Sequence, residues 1–336
     1  MRILVTGHTG FKGSWLCLML KTLGHEVHGI ALNPLKNGIF ERATVGELCS
    51  SDIRLDIRNK EALDAEVVRI QPEVVFHLAA QALVLTSYEQ VYETYSTNVL
   101  GTLNVLESSV KSDRLKGIVV VTTDKVYENN TKKIFLETDP LGGKDPYSSS
   151  KALADKLTQD WSLQSDFVPI GIARAGNVVG GGDVSPNRLI PDILSAQQEN
   201  RVVIIRNPNS VRPWQHVLDC LNGYIKLMDY VLAGHSEIFN FGPTPGEYFS
   251  VKDVVKILGE KLMSRNWEFL EKPSIKEATF LALDSTKANK KLNWQNKLSL
   301  DQSLNLVLEW NPLMSYKQNL QKISLSQINQ FWQEKM

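Results

Sequence analysis

An α/β fold is the class this sequence predicts: a doubly wound parallel sheet carrying a smaller mixed α/β lobe. Three observations lead there. Short apolar segments alternate with longer helical stretches through the first half of the chain, the pattern of a parallel sheet covered by crossover helices. The chain opens on an apolar strand, Arg2 to Thr6, which runs at once into Gly7-His8-Thr9-Gly10-Phe11-Lys12-Gly13 and then into a helical run from Trp15 to Leu23. Its 336 residues exceed what one core usually holds, so two lobes are expected. The boundary falls near residue 178: residues 1–178 form the sheet domain and 179–336 mainly the second lobe, with elements near 213–241 returning to the first.

The glycine turn lies between strand and helix, where a dinucleotide-binding (Rossmann) fingerprint belongs. Glycines permit the tight turn and the approach of a pyrophosphate, and the helix start offers free N–H groups and the positive end of a dipole. Gly7, Thr9, Gly10, Phe11, Lys12 and Gly13 are therefore candidate cofactor contacts. Glu26 to Ala31 reads as the second strand. Such sheets commonly place an acid after it to bond the ribose of NAD. Here Leu32-Asn33-Pro34 follows. Asn33 still bonds a ribose, and no arginine follows at once to attract a 2′-phosphate, so NAD is the expected cofactor.

Asp52 to Leu55 is a short third strand. Asp56 and Ile57 beyond it are candidates for the adenine edge, although a plain helix cap explains Asp56 equally well. Glu73 to Leu78 is the fourth strand. It runs into Ala79, Ala80 and Gln81, where small side chains let a cofactor lie against backbone. Tyr88 to Lys111, containing Asn98, Gly101 and Asn104, reads as one long helix packed on the sheet and on a partner subunit. Gly117 to Val121 is the fifth strand, and Glu128 to Lys144 a loop ending in turn-rich PLGGKDP. A helix to Gln164 and a sixth strand, Phe167 to Ala173, follow. Arg174 to Asp183 crosses into the second lobe. There the sequence predicts a helix near Arg188 to Gln198, a strand at Val202 to Ile205, a helix at Val217 to Leu232 and a strand at Ile238 to Phe241. Helices at Val251 to Leu262 and Leu300 to Trp310 complete it.

Lys+Arg and Asp+Glu each number 37, so the formal net charge is zero. That balance argues against a nucleic-acid surface or a polybasic membrane patch. Cys17, Cys49 and Cys220 are scattered, with neither metal spacing nor a disulfide framework, which fits a reducing cytosol. No apolar run is long enough to span a bilayer.

Chemistry concentrates in two stretches, VVVTTDK (Val119 to Lys125) and DPYSSSK (Asp145 to Lys151). Tyr147 and Lys151 are four residues apart, which stacks them on one face of a helix. A free phenol, with a pKa of about 10, is a poor base near neutrality. A neighbouring cation lowers that value and favours the phenolate.

The stretches VTGHTGFKGSW, FHLAAQALV, TNVLGTLNVLE, VVVTTDKVYEN, DPLGGKDPYSSSKA, ARAGNVVGGGD, RLIPDIL, IRNPNSVRPWQHV and NFGP run from Val5 to Pro243. On them the chain resembles the extended short-chain dehydrogenase/reductases, the NAD-dependent epimerase/dehydratase family, and within it the branch that dehydrates CDP-glucose. That resemblance implies a redox-neutral elimination in the cytoplasm, feeding deoxysugar and lipopolysaccharide O-antigen synthesis, by a homodimer or dimer of dimers. Tyr147 would take the proton of the sugar 4-hydroxyl, with Lys151 holding Tyr147 and the nicotinamide ribose and Thr123 bonding the 4-oxygen. Asp124 would be the acid for the leaving 6-hydroxyl. Lys125 stands where dTDP-sugar dehydratases carry a glutamate base, and it would serve as base or as enolate counter-charge. The resemblance also implies Asn98 and Gln81 as cofactor contacts, and Gln81, Ser87, Thr123, Asn177, Arg188, Leu189, Arg206 and Arg212 as nucleotide-sugar contacts. His216, in the same motif as Arg212, reads as structural. Three departures from the branch are Leu85 for an arginine, Asn33 for an aspartate and Val184 for a tryptophan. A 4-epimerase would keep Tyr147, Lys151 and Thr123 but need no elimination pair. A non-catalytic dinucleotide-binding module is the other alternative, and such modules tend to lose the tyrosine or the lysine.

Overall fold

Seven segments form one parallel sheet: β1 (Arg2–Thr6), β2 (Glu26–Ala31), β3 (Ser51–Arg54), β4 (Val74–His77), β5 (Gly117–Val121), β6 (Ile170–Ala175) and β7 (Glu237–Phe241). The computed structural model describes residues 1–129, 133–163, 168–264, 266–270, 279–311 and 319–333. The strand order is β7-β6-β5-β4-β1-β2-β3. The winding therefore reverses between β1 and β4, which opens a crevice at their carboxyl ends. Registers are regular: Ile3 lies opposite Val27 and Val74, and Val119 opposite Phe76 and Gly171.

β4, β5 and β6 are buried along their whole length, as strands covered on both faces must be. Alternate residues of β5 face opposite layers. Val119 and Val121 pack with Trp15 and Leu18 of α1 (Phe11–Thr22) and with Leu221 and Met228 farther along the chain. Ile118 and Val120 pack with Leu63 and Val67 of α2 (Lys60–Ile70) and Leu106 of α3 (Gly101–Ser109). Beyond β5 come α4 (Pro146–Ser162), α5 (Leu189–Gln198), α6 (Val217–Leu232), α7 (Val251–Leu262), α8 (Leu300–Glu309) and α9 (Leu320–Gln333). α6 packs on β5 and β6, and β7 pairs in parallel with β6. A separate core joins Ile190 and Ile193 of α5, Val254 and Leu258 of α7, and Leu304 and Val307 of α8.

The bounds of β2, β5, α6 and α7 are those read from the sequence. The expected ends at Gln164 and Phe167 lie outside the described residues. The stretch expected as one helix over Tyr88 to Lys111 is broken. It comprises Val84–Glu89, Val91–Tyr95, a π-turn at Ser96–Leu100 and α3. Gln90, at φ −123°, interrupts the first pair. The helix Thr286–Leu292 and α9 were not anticipated; α9 sends Leu320, Ile328 and Phe331 into the first core.

Candidate active site

The glycine turn is built for close backbone approach. Gly7 has φ +77°, and a Cβ there would lie 2.7 Å from the amide nitrogen of Ala79. A Cβ on Gly13 would lie 2.1 Å from the carbonyl oxygen of Gly7. Neither position tolerates a side chain without moving backbone. α1 begins at Phe11 with no side chain capping its first turn, so its N–H groups remain available to an anion. Ala79 donates to Thr6 Oγ1 at 3.3 Å, which seats the start of the Ala79-Ala80 segment against the turn. Thr9 Oγ1 donates to the Leu32 carbonyl at 3.0 Å, bringing the stretch that carries exposed Asn33 alongside. This cradle fits a dinucleotide pyrophosphate. Asp56 is occupied by the backbone and guanidinium of Arg58, and Ile57 is buried at the same edge.

α4 starts sharply because Asp145 caps it, accepting from the Ser148 N–H and hydroxyl at 2.9 and 2.6 Å, and Pro146 fills the first turn. That fixes Tyr147 and Lys151 one turn apart, facing the end of β5. Lys151 is 5 % exposed and donates to the Val121 carbonyl at 2.8 Å. Burial, followed by the charge of Lys12, lowers its pKa to about 7. Burial raises the Tyr147 phenol, opposed by the nearby charge of Lys125 and by a hydrogen bond shared with Thr123. The sequence points to Lys151 as the cation that activates the phenol; in the structure the main opposing charge is that of Lys125. Directly after β5, a 3₁₀ turn (Asp124–Val126) carries the acid. Asp124 is fully buried, and its Oδ1 accepts from Thr123 Oγ1 at 2.9 Å and Lys125 Nζ at 3.2 Å. Its Oδ2 has no partner.

A cleft of about 1260 Å³ runs from these groups into the second lobe. Thr123, Lys125, Tyr147, Asn177, Arg188, Leu189, Arg206 and Arg212 all line it. Arg188 pairs with Asp183 at 2.9 Å, and Arg212 donates to the Val211 carbonyl at 2.9 Å. Asn177 Oδ1 is buried without a partner. His216 is buried and caps α6, with burial lowering its pKa to about 3, so it stays neutral.

Three expected contacts carry hydrogen bonds within the protein. Ser87, expected against the substrate, is fully buried; its hydroxyl accepts from the Tyr147 N–H at 3.1 Å and donates to the Val84 carbonyl. Asn98, expected against the cofactor, is 1 % exposed and clamps the Gln81 backbone to Ser150 of α4. The Gln81 amide closes its own loop, bonding Leu83 and Thr94. Ser87 and Asn98 thereby bond the tyrosine helix directly. Sequence reasoning also missed Lys144 in the cleft lining and Tyr224, whose hydroxyl accepts from Lys12 Nζ at 3.2 Å. Lys144 was legible as a cation next to the cap Asp145. Tyr224 sits on the apolar face of α6, where nothing marks its hydroxyl.

A sequence profile described as the NAD dependent epimerase/dehydratase family matches residues 3–242. The CDP-glucose 4,6-dehydratase of Salmonella typhimurium is 42% identical over 328 residues, covering 92% of this chain and 90% of that protein. Among solved structures, dTDP-glucose 4,6-dehydratase from Bacillus anthracis in complex with NAD superposes with a TM-score of 0.79 at 25% identity, over 94% of this chain and 98% of that one. A UDP-glucose-4-epimerase from Stenotrophomonas maltophila, at 22% identity and a TM-score of 0.83 over 95% and 100% of the two chains, shares the fold. With its glycine cradle, its tyrosine–lysine helix and this profile match, the chain belongs to the NAD dependent epimerase/dehydratase family.

Proposed function

We propose that this chain is an NAD-dependent sugar-nucleotide 4,6-dehydratase converting CDP-glucose to CDP-4-keto-6-deoxyglucose and water. The observation that carries the reading is Asp124: a buried carboxyl beside Thr123 and Lys125, with one oxygen unpartnered. An epimerase has no use for such an acid. The 42% identity to a CDP-glucose 4,6-dehydratase supports the choice of nucleotide.

Bound NAD supplies a hydride acceptor for C4 and a hydride donor for C6. The glycine turn and the Ala79-Ala80 segment hold it. Tyr147 takes the 4-hydroxyl proton, with Thr123 bonding the same oxygen and Lys125 favouring the phenolate. The 4-ketone then acidifies C5. Lys125 serves C5 as base or as counter-charge to the enolate, and Asp124 delivers a proton to the departing 6-hydroxyl. Arg188, Arg206 and Arg212 take the diphosphate and the nucleotide, through charge-assisted donors.

We read the exposed apolar residues Tyr92, Leu100, Leu153 and Leu163 as one subunit interface of a homodimer. Its free cysteines suit a reducing cytoplasm, and its product suits deoxysugar synthesis for surface polysaccharide.

Substitution separates the two halves of the reaction. Tyr147→Phe should abolish every step, with no NADH absorbance on mixing with CDP-glucose. Asp124→Asn should still form enzyme-bound NADH while releasing product about 10²–10⁴-fold more slowly. Full turnover by Asp124→Asn would overturn the elimination assignment and restore the epimerase reading.

A further inference from the structure

Asp192 stands in the first turn of α5 and lines the cleft, partly buried. Its Oδ1 accepts from the Asn187 N–H at 3.2 Å. Among the described residues, no further hydrogen bond and no ion pair reaches this carboxylate. Arginines are close, yet they are engaged with other acids. Arg201 pairs with Glu199 at 2.6 Å and Arg188 with Asp183 at 2.9 Å, and both arginines line the same cleft. Burial raises the pKa of Asp192, eased by the Asn187 N–H and by the charges of Arg201 and Arg206. That is the balance of a carboxylate partly removed from water and short of donors.

The place of Asp192 in the cleft gives the missing donor a chemical identity. Tyr147 and Lys125 mark the end where the sugar reacts. The diphosphate holds the nucleoside away from them, so the base lies toward the second lobe, against α5 and the strand Val203–Ile205. Leu189, Ile205 and Arg206 line the cleft there with Asp192. Apolar side chains and a guanidinium suit the flat face of a pyrimidine. A carboxylate suits its edge only where that edge donates. Cytosine carries an amino group at C4, whereas uracil and thymine carry a carbonyl oxygen. A carboxylate accepts from the first and repels the second. We propose that Asp192 reads the 4-amino group of the base, and so makes the site select cytidine over uridine nucleotides. This rests on the CDP reading above and names a residue that enforces it. A carboxylate that served only the dipole at the start of α5 would not tell one base from another.

Calorimetry on the NAD-loaded enzyme distinguishes the two roles, with three probes: CDP, UDP and the diphosphate of the 2-pyrimidinone nucleoside, which carries neither an amino group nor an oxygen at C4. The parent should bind CDP about ten- to a hundredfold more tightly than the other two, the range for one charge-assisted hydrogen bond. Asp192→Asn offers position 4 both a donor and an acceptor. In that variant the ratio Kd(UDP)/Kd(CDP) should fall about tenfold or more, through weaker CDP and tighter UDP. Asp192→Ser stands in if the asparagine variant does not fold, with circular dichroism reporting the fold. An unchanged ratio in a folded variant, whether both nucleotides weaken together or neither changes, would overturn the inference. So would a parent that binds the pyrimidinone diphosphate as tightly as CDP, a comparison that needs no variant. A parent that binds UDP as tightly as CDP would instead overturn the CDP reading itself.

Discussion

Lys151 shows how far one side chain's environment alters its chemistry. Burial beside Lys12 lowers its pKa to about 7 from 10.5. Between those values the unfolded chain holds a proton that the folded chain does not, so this group makes stability rise with pH across that window. Below about pH 7 the folded lysine is charged and its full penalty is present. In the parent, the urea midpoint should therefore climb from pH 7 toward 10 relative to Lys151→Met, where this contribution is gone; parallel curves would show that Lys151 is not depressed. At this scale the sequence was informative wherever motif and chemistry coincide. Thr123, Asp124, Lys125 and Tyr147 do converge. It was silent on the polar ends of Ser87 and Asn98, which satisfy neighbouring backbone that is distant in sequence. No local pattern reports such a pairing.

Strands β2 and β5 and helices α6 and α7 were legible because apolar period and turn residues agree locally. The stretch 84–109 was not. Its apolar spacing continues through Gln90 and the π-turn, and only packing breaks it. A Cβ on Gly101 would meet Ile57 at 2.6 Å, so close approach of the loop after β3 requires the glycine there. α4 is held on the sheet by an ion pair that no motif announces. Arg174 of β6 bonds both oxygens of Asp155 at 2.8 and 2.7 Å, with both side chains essentially inaccessible. The same carboxylate accepts from Thr122 at 2.8 Å, linking the tyrosine helix to the strand end that carries Thr123. Removing one partner of a buried pair typically costs about 3–5 kcal/mol, because the other charge is left uncompensated. Asp155→Asn should lose that much in urea unfolding. A loss below about 1 kcal/mol would show that water compensates Arg174.

The molecule as a whole leaves several large apolar side chains exposed. Tyr92 is 80 % exposed, and Leu100 and Leu163 are exposed with it, on segments that pack around α4. Tyr92→Glu should shift the enzyme toward monomers in light scattering after gel filtration, with its fold intact by circular dichroism; an unchanged mass would place the interface elsewhere.

Chain order adds a constraint on how the protein is made. β7, at the edge of the sheet beside β6, comes last of the seven strands, and α6, which roofs β5 and β6, comes just before it. The residues between β6 and α6 belong mostly to the cleft wall. A ribosome that has synthesised β6 but neither α6 nor β7 therefore carries a mostly apolar strand with one edge unpaired and one face uncovered. Open edges of that kind recruit other chains. Cotranslational chaperone cover should thus matter most while residues 176–241 are being made, and truncations ending in that window should accumulate as aggregates rather than as a smaller soluble domain.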